Sequence, residues 1–142
     1  MKRLALFAAL ALLCMTSQAW AIPTLTAASD RTKWTINDTG TMTVTLAVPA
    51  TDTATIAAPS IALPLPAGFS VVSATGQGIR EISNQATATW TGGSAVSNIV
   101  TFRVTGASLT PTISATAVTL AVAAGLQPGE SAVLTVNLKR VS

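Results

Sequence analysis

The 142 residues contain five carboxylates and no histidine or tyrosine. Acid–base chemistry would therefore fall to a pair such as Asp38 and Glu81, far apart in sequence and joined only if the fold assembled them as glycosidases assemble theirs. The single cysteine, Cys14, lies in the apolar N-terminal run, which leaves no thiolate nucleophile downstream of it. Ser73 and Ser94 stand in no nucleophile elbow and beside no base. Oxygen ligands of the kind calcium takes gather at Asn37-Asp38-Thr39-Gly40, with Asp30 and Asp52 as further donors, but the Asp-x-Asp-x-Asp-Gly pattern of a calcium loop is missing. That stretch reads instead as a turn between Ile36 and Thr41. Lys33 and Asn137 are the residue types that form an amide crosslink between first and last strands; both fall on the solvent side of their strands, whereas the reaction needs them desolvated. The expectation is a protein that is not an enzyme, with no catalytic, cofactor-binding or metal residue and no cofactor.

The elements around these residues begin with a leader. Lys2 and Arg3 precede an apolar run from Leu4 to Met15, and Ala19-Trp20-Ala21 puts small residues at the two positions that guide cleavage before Ile22. The run is too short to span a bilayer. Residues 1–21 are therefore expected to be a cleaved signal peptide and 22–142 a single exported domain with no transmembrane anchor and no cysteine, stabilised by packing without disulfides. Acylation at Cys14 is disfavoured because Leu13, not a small residue, precedes it. Of eight cations the leader holds two, leaving six against the five carboxylates. Neither Arg31/Lys33 nor Lys139/Arg140 has interleaved aromatics, so no nucleic-acid groove is expected.

Strands and turns account for the remainder. Ala86-Thr-Ala-Thr-Trp-Thr91 and, beyond Gly92-Gly93, Val100-Thr-Phe-Arg-Val104 alternate apolar and polar residues, predicting two half-buried strands. Thr41 to Val48 alternates with Met42, Val44, Leu46 and Val48 inward. Ile56 to Leu65, cut by Pro59 and Pro64, predicts an edge strand or crossover. Phe69 to Ala74 predicts a strand ended by Gly76 and Gly78; Ile113 to Val122 and Ser131 to Lys139 supply two more, with Leu134, Val136 and Leu138 inward. Trp34 and Ile36 oppose Lys33 and Thr35, so Lys33 faces solvent. Trp34, Trp90, Phe69 and Phe102 each lie on the apolar parity of a strand and are expected to anchor the core rather than form a ligand platform. Short strands at this spacing, without an amphipathic helix, predict an all-β sandwich.

Two motifs narrow this further. Leu65-Pro-Ala-Gly-Phe-Ser-Val-Val-Ser-Ala74 and Leu126-Gln-Pro-Gly-Glu-Ser-Ala-Val-Leu-Thr-Val136 resemble the turn-and-strand signatures of the conserved-repeat modules of unknown function found in bacterial and archaeal surface proteins. The resemblance implies an immunoglobulin-like antiparallel sandwich of about seven to nine strands. Residues 75–125 are more chain than such a sandwich needs between these motifs, so an extra hairpin is expected there. The function this implies is structural or adhesive, at the cell surface or outside the cell, with other envelope proteins or further copies of the chain as partners. The alternative is a soluble periplasmic or secreted module that binds a glycan or small ligand. Ile22-Pro-Thr-Leu-Thr-Ala27 alternates as well, and predicts either the domain's own first strand or one lent to a neighbour's edge.

Overall fold

The computed structural model describes residues 21–142; the expected signal peptide, apart from Ala21, and Cys14 lie outside the described residues. Ten strands follow in chain order: β1 (Thr24–Ser29), β2 (Thr39–Ala47), β3 (Ser60–Pro64), β4 (Phe69–Asn84), β5 (Thr87–Trp90), β6 (Gly93–Val96), β7 (Val100–Leu109), β8 (Thr112–Ile113), β9 (Ala117–Ala121) and β10 (Ser131–Arg140). They form a five-stranded sheet in the order β1-β2-β10-β4-β7, a three-stranded sheet β3-β9-β8 and the hairpin β5-β6. Every pairing is antiparallel. The fold is thus all-β, as expected. The strand count exceeds the seven to nine foreseen because β8 is a two-residue fragment and the middle of the chain adds a hairpin.

Alternation explains the core. Val44 and Leu46 of β2 and Leu134, Val136 and Leu138 of β10 meet Ile61 of β3 and Val118 and Leu120 of β9 in one buried cluster, which Val48, Val122 and Leu126 extend. Each such side chain removed from water contributes about 1.5–3 kcal/mol. Met42, on the same face, is half-buried against the cluster. The Pro-Gly turns of the two motifs deliver the central strands. Gly68 (φ 80°) and Gly129 (φ 82°) occupy the left-handed position that a β-carbon disfavours. Phe69 N–H bonds Pro66 C=O at 3.2 Å and Glu130 N–H bonds Gln127 C=O at 3.0 Å, closing each turn as β4 and β10 begin.

Several expectations need correction. Gly76 and Gly78 do not end a strand: β4 runs through both to Asn84. They are glycine because the facing layer at Gly76 and the adjacent strand β7 at Gly78 leave no room. A β-carbon on Gly76 would collide with Leu120 Cδ1, and one on Gly78 would lie 2.7 Å from Leu109 Cδ1. Residues 31–38 form a loop rather than a strand, turning at Asn37 (φ 72°), so Ile36 projects into solvent. Ile113 to Val122 is broken after Ile113, where the Ser114 hydroxyl accepts the N–H of Ala117. The strand foreseen within Ile56 to Leu65 shrinks to β3, at the edge of its sheet, while Ile56 makes an isolated bridge to Leu126. The N-terminal stretch pairs with its own β2 in six registered positions from Thr24 to Ser29.

Candidate interaction surface

The two strands predicted around Gly92-Gly93 do not pair with each other and are not half-buried. Thr87–Trp90 turns back on Gly93–Val96 as the extra hairpin, while Val100–Leu109 pairs with β4. The cause is the length of β4. Its pairing with β10 stops at Gln77, so from Arg80 to Asn84 β7 alone among the described strands lies beside it, and the two strands leave the body as a ribbon. Gln85 Nε2–H to Ser97 C=O at 2.7 Å, with Ser97 N–H to Ala86 C=O at 2.8 Å, closes the base of the hairpin. Every residue from Arg80 to Phe102 is exposed, and beyond Glu81 none of that stretch is charged.

A bulge sets which face of this arm looks outward. Between the registered pairs Gly78–Ala107 and Arg80–Val104, Ile79 stands opposite both Thr105 and Gly106, and Gly106 has the positive φ (66°) that such an irregularity needs. Gly78 and Ile79 are both buried, so the inner face of β4 shifts by one residue there. Beyond the shift Glu81 and Arg103 turn toward the body, and Ser83 and Thr101, hydroxyl to hydroxyl at 3.1 Å, share their face. Ile82 pairs with Phe102, Arg80 with Val104 and Asn84 with Val100 on the face turned away. Ile82 is 48% exposed and Phe102 53%. The alternation read from the sequence is correct, but the apolar row it defines looks outward.

Arg103 fastens the arm. Its guanidinium donates to both Glu130 carboxylate oxygens (3.1 and 2.6 Å), to Glu81 Oε1 (2.6 Å) and to the carbonyls of Ala124 (3.0 Å) and Gly125 (3.3 Å). This uses the planar fork of arginine fully and joins β7 to β4 and to the loop before β10. The Glu130 carboxyl is held below the ordinary carboxylate range, first by Arg103 and then by the Gln127 N–H, against the opposing effect of its burial. Nearby, a groove of about 350 Å³ runs between Arg80, Glu81 and Leu109 on one side and Ala121, Ala123 and Ala124 on the other. The sequence hinted at Arg103, the one charge in an alternating apolar strand, but not at its partners.

The four aromatics divide by location. Trp34 and Phe69 meet edge to face at 5.1 Å against the core, with Arg31 and Arg140 lying over their rings, so these two are anchors as expected. Phe102, 53% exposed on the outward row, and Trp90, 59% exposed, are not: the Trp90 indole lies across Gly93 of the facing strand, where a β-carbon would sit 3.0 Å from the ring. The weighed chemical residues stay apart. Asp38 pairs with Arg31 at 3.3 Å and caps the Thr35 N–H, whereas Glu81 is held by Arg103 on the arm. Asp30 accepts from Thr41 N–H and Asp52 from Ile22 N–H. Among the described residues no three side chains of metal-ligating type come together. Asn137 is exposed and engaged by Thr41 and Ser73, and Lys33 is exposed on the loop.

No helix among the described residues is long and apolar enough to cross a membrane. A scan against protein-family models, a search of curated proteins and a search of solved structures each found no match to this chain.

Proposed function

We propose that this chain is an exported, non-catalytic module with an immunoglobulin-like sandwich, serving a structural or adhesive role at the cell envelope, and that the arm is the surface through which it acts. The observation that carries this reading is the stretch from Arg80 to Phe102, wholly exposed and uncharged beyond Glu81, whose Ile82, Val100 and Phe102 form an outward apolar row with the neighbouring Val104. A protein that stays alone in solution keeps its large apolar side chains scattered; a contiguous row marks a contact surface. Anchoring at Arg103 suits the role, because a projecting element transmits a contact only if its base is fixed.

A second reading, a module that binds a glycan or small ligand, draws support from Trp90, exposed on the hairpin among the threonines of β5 and Ser94. One experiment separates the two. Val100→Ser with Phe102→Ser, and separately Trp90→Ala, are expressed in the producing cells and the protein remaining on the envelope is measured after washing. The first variant is expected to be released while folding normally, with Trp90→Ala retained. Release of Trp90→Ala alone, together with displacement of the parent protein by soluble envelope polysaccharide, would transfer the function to the second reading.

A further inference from the structure

We propose that the open edge of β7 is a self-association edge, where a second copy of this chain lays its own β7 antiparallel about a two-fold axis passing near Phe102. This rests on the arm being the contact surface and names its occupant. Among the described residues β7 is the outermost strand of its sheet, so its outward N–H and C=O groups face no neighbouring described strand, and what satisfies such a row is another strand edge. Spacing selects this chain's own β7. Val100, Phe102 and Val104 are symmetric about Phe102, so an antiparallel copy sets Val100 against Val104 of the second copy and Phe102 against its equivalent, all on one face.

Charge does not oppose the contact. Arg103, the sole charged residue of the strand, lies on the other face, is neutralised by Glu81 and Glu130, and would stand opposite Thr101 of the second copy. The bulge at Gly106 ends the pairable stretch. Pairing also meets a need of the arm, because a two-stranded ribbon is marginal in water while the resulting β4-β7-β7-β4 unit has the strand number that independent stability requires. The other open edge is a poorer candidate. β1 carries one large apolar side chain, Leu25, and since each pairing from β1 to β7 is antiparallel the two outer strands run in the same direction, so translated copies would meet there in the less stable parallel manner.

The chain has no cysteine beyond Cys14, so in a Cys14→Ser background single cysteines report the geometry. Residues opposite each other on an antiparallel pair are about 4.5–5.5 Å apart between Cα atoms, within disulfide reach. Under mild oxidation Phe102→Cys is expected to give a covalent dimer and Thr26→Cys on β1 none. A mixture of Val100→Cys and Val104→Cys, which retains Phe102, is expected to give the mixed dimer in excess over either homodimer. The cysteine-free parent should sediment as a dimer at high concentration. A parent that sediments as a monomer, with no mixed dimer from the Val100 and Val104 variants, overturns self-association, as do crosslinks joining Thr26→Cys to Phe102→Cys, the mark of head-to-tail chains. Retention on the envelope is measured separately, so a monomer that still binds cells would remove this inference and leave the arm's role standing.

Discussion

The guanidinium of Arg103 grips the carboxylate of Glu130 with two hydrogen bonds, Nη2 to Oε2 at 2.6 Å and Nε to Oε1 at 3.1 Å, across 27 residues of chain. The side chains are 20% and 13% exposed, so water screens the pair only in part. Arg103→Met removes the fork and leaves Glu130 and two carbonyls short of donors. A loss of about 1–2 kcal/mol is expected, with solvent screening holding it below the cost of breaking a fully buried pair. Chemical denaturation of the variant measures it. A midpoint equal to that of the parent would show that the arm is not fastened there.

The same pair sets an acid response. Glu130 titrates below its ordinary value near 4.5 because the folded state favours its ionised form, through Arg103 first and the Gln127 N–H next. A depressed carboxyl contributes stability that is complete above its unfolded pKa and is lost as pH falls through the folded one. The loss therefore begins near pH 5 and continues below 4.5. Glu130→Gln should be less stable than the parent at pH 7, and the gap should narrow toward pH 3. Urea midpoints taken at intervals across that range check the sign; a gap that widens on acidification would contradict it.

Gly76 tests the contact between the layers. A methyl group there collides with Leu120 Cδ1 and meets the Leu109 carbonyl at 2.9 Å, so Gly76→Ala forces β4 and β9 apart at a cost of about 1–3 kcal/mol. In a Leu120→Ala background the nearer obstacle is gone and the same substitution should cost at least 0.5 kcal/mol less, a coupling of the order found between residues in contact. Equal costs in both backgrounds would place the strain at the Leu109 carbonyl alone.

How much of this was legible in the sequence depended on what each residue reports. Alternation in Thr41 to Val48 and in Ser131 to Lys139 names the buried face correctly, because both strands lie inside the five-stranded sheet with a second layer over them. In Val100 to Val104 the same pattern names the wrong destination. Period-two hydrophobicity says that a face is apolar, not that the chain covers it, and coverage here depends on where β10 stops pairing with β4. Gly76 and Gly78 misled for a related reason: glycine marks a turn or a close approach equally well, and the approaching residues, Leu120 and Leu109, are more than thirty positions distant. The partners of Arg103 were illegible for the same cause, whereas the Pro-Gly turns were readable because a turn is closed by its own four residues.

The two described tryptophans should report opposite environments from one molecule. Trp34 packs edge to face on Phe69 beneath Arg31, while Trp90 lies on the hairpin with 59% of its surface in water. In a chain starting at Ile22, which lacks Trp20, Trp90→Phe leaves Trp34 as the emitter, and its spectrum should be blue-shifted and resistant to acrylamide. Trp34→Phe leaves Trp90, whose emission should lie near that of free indole and quench readily. Concentration adds a second control. Pairing through β7 leaves both rings outside the contact near Phe102, so the Trp90 signal should keep its accessibility as the chain associates. A blue shift of Trp90 with rising concentration would instead place the hairpin inside the contact, moving the association surface from the β7 edge to the tip of the arm.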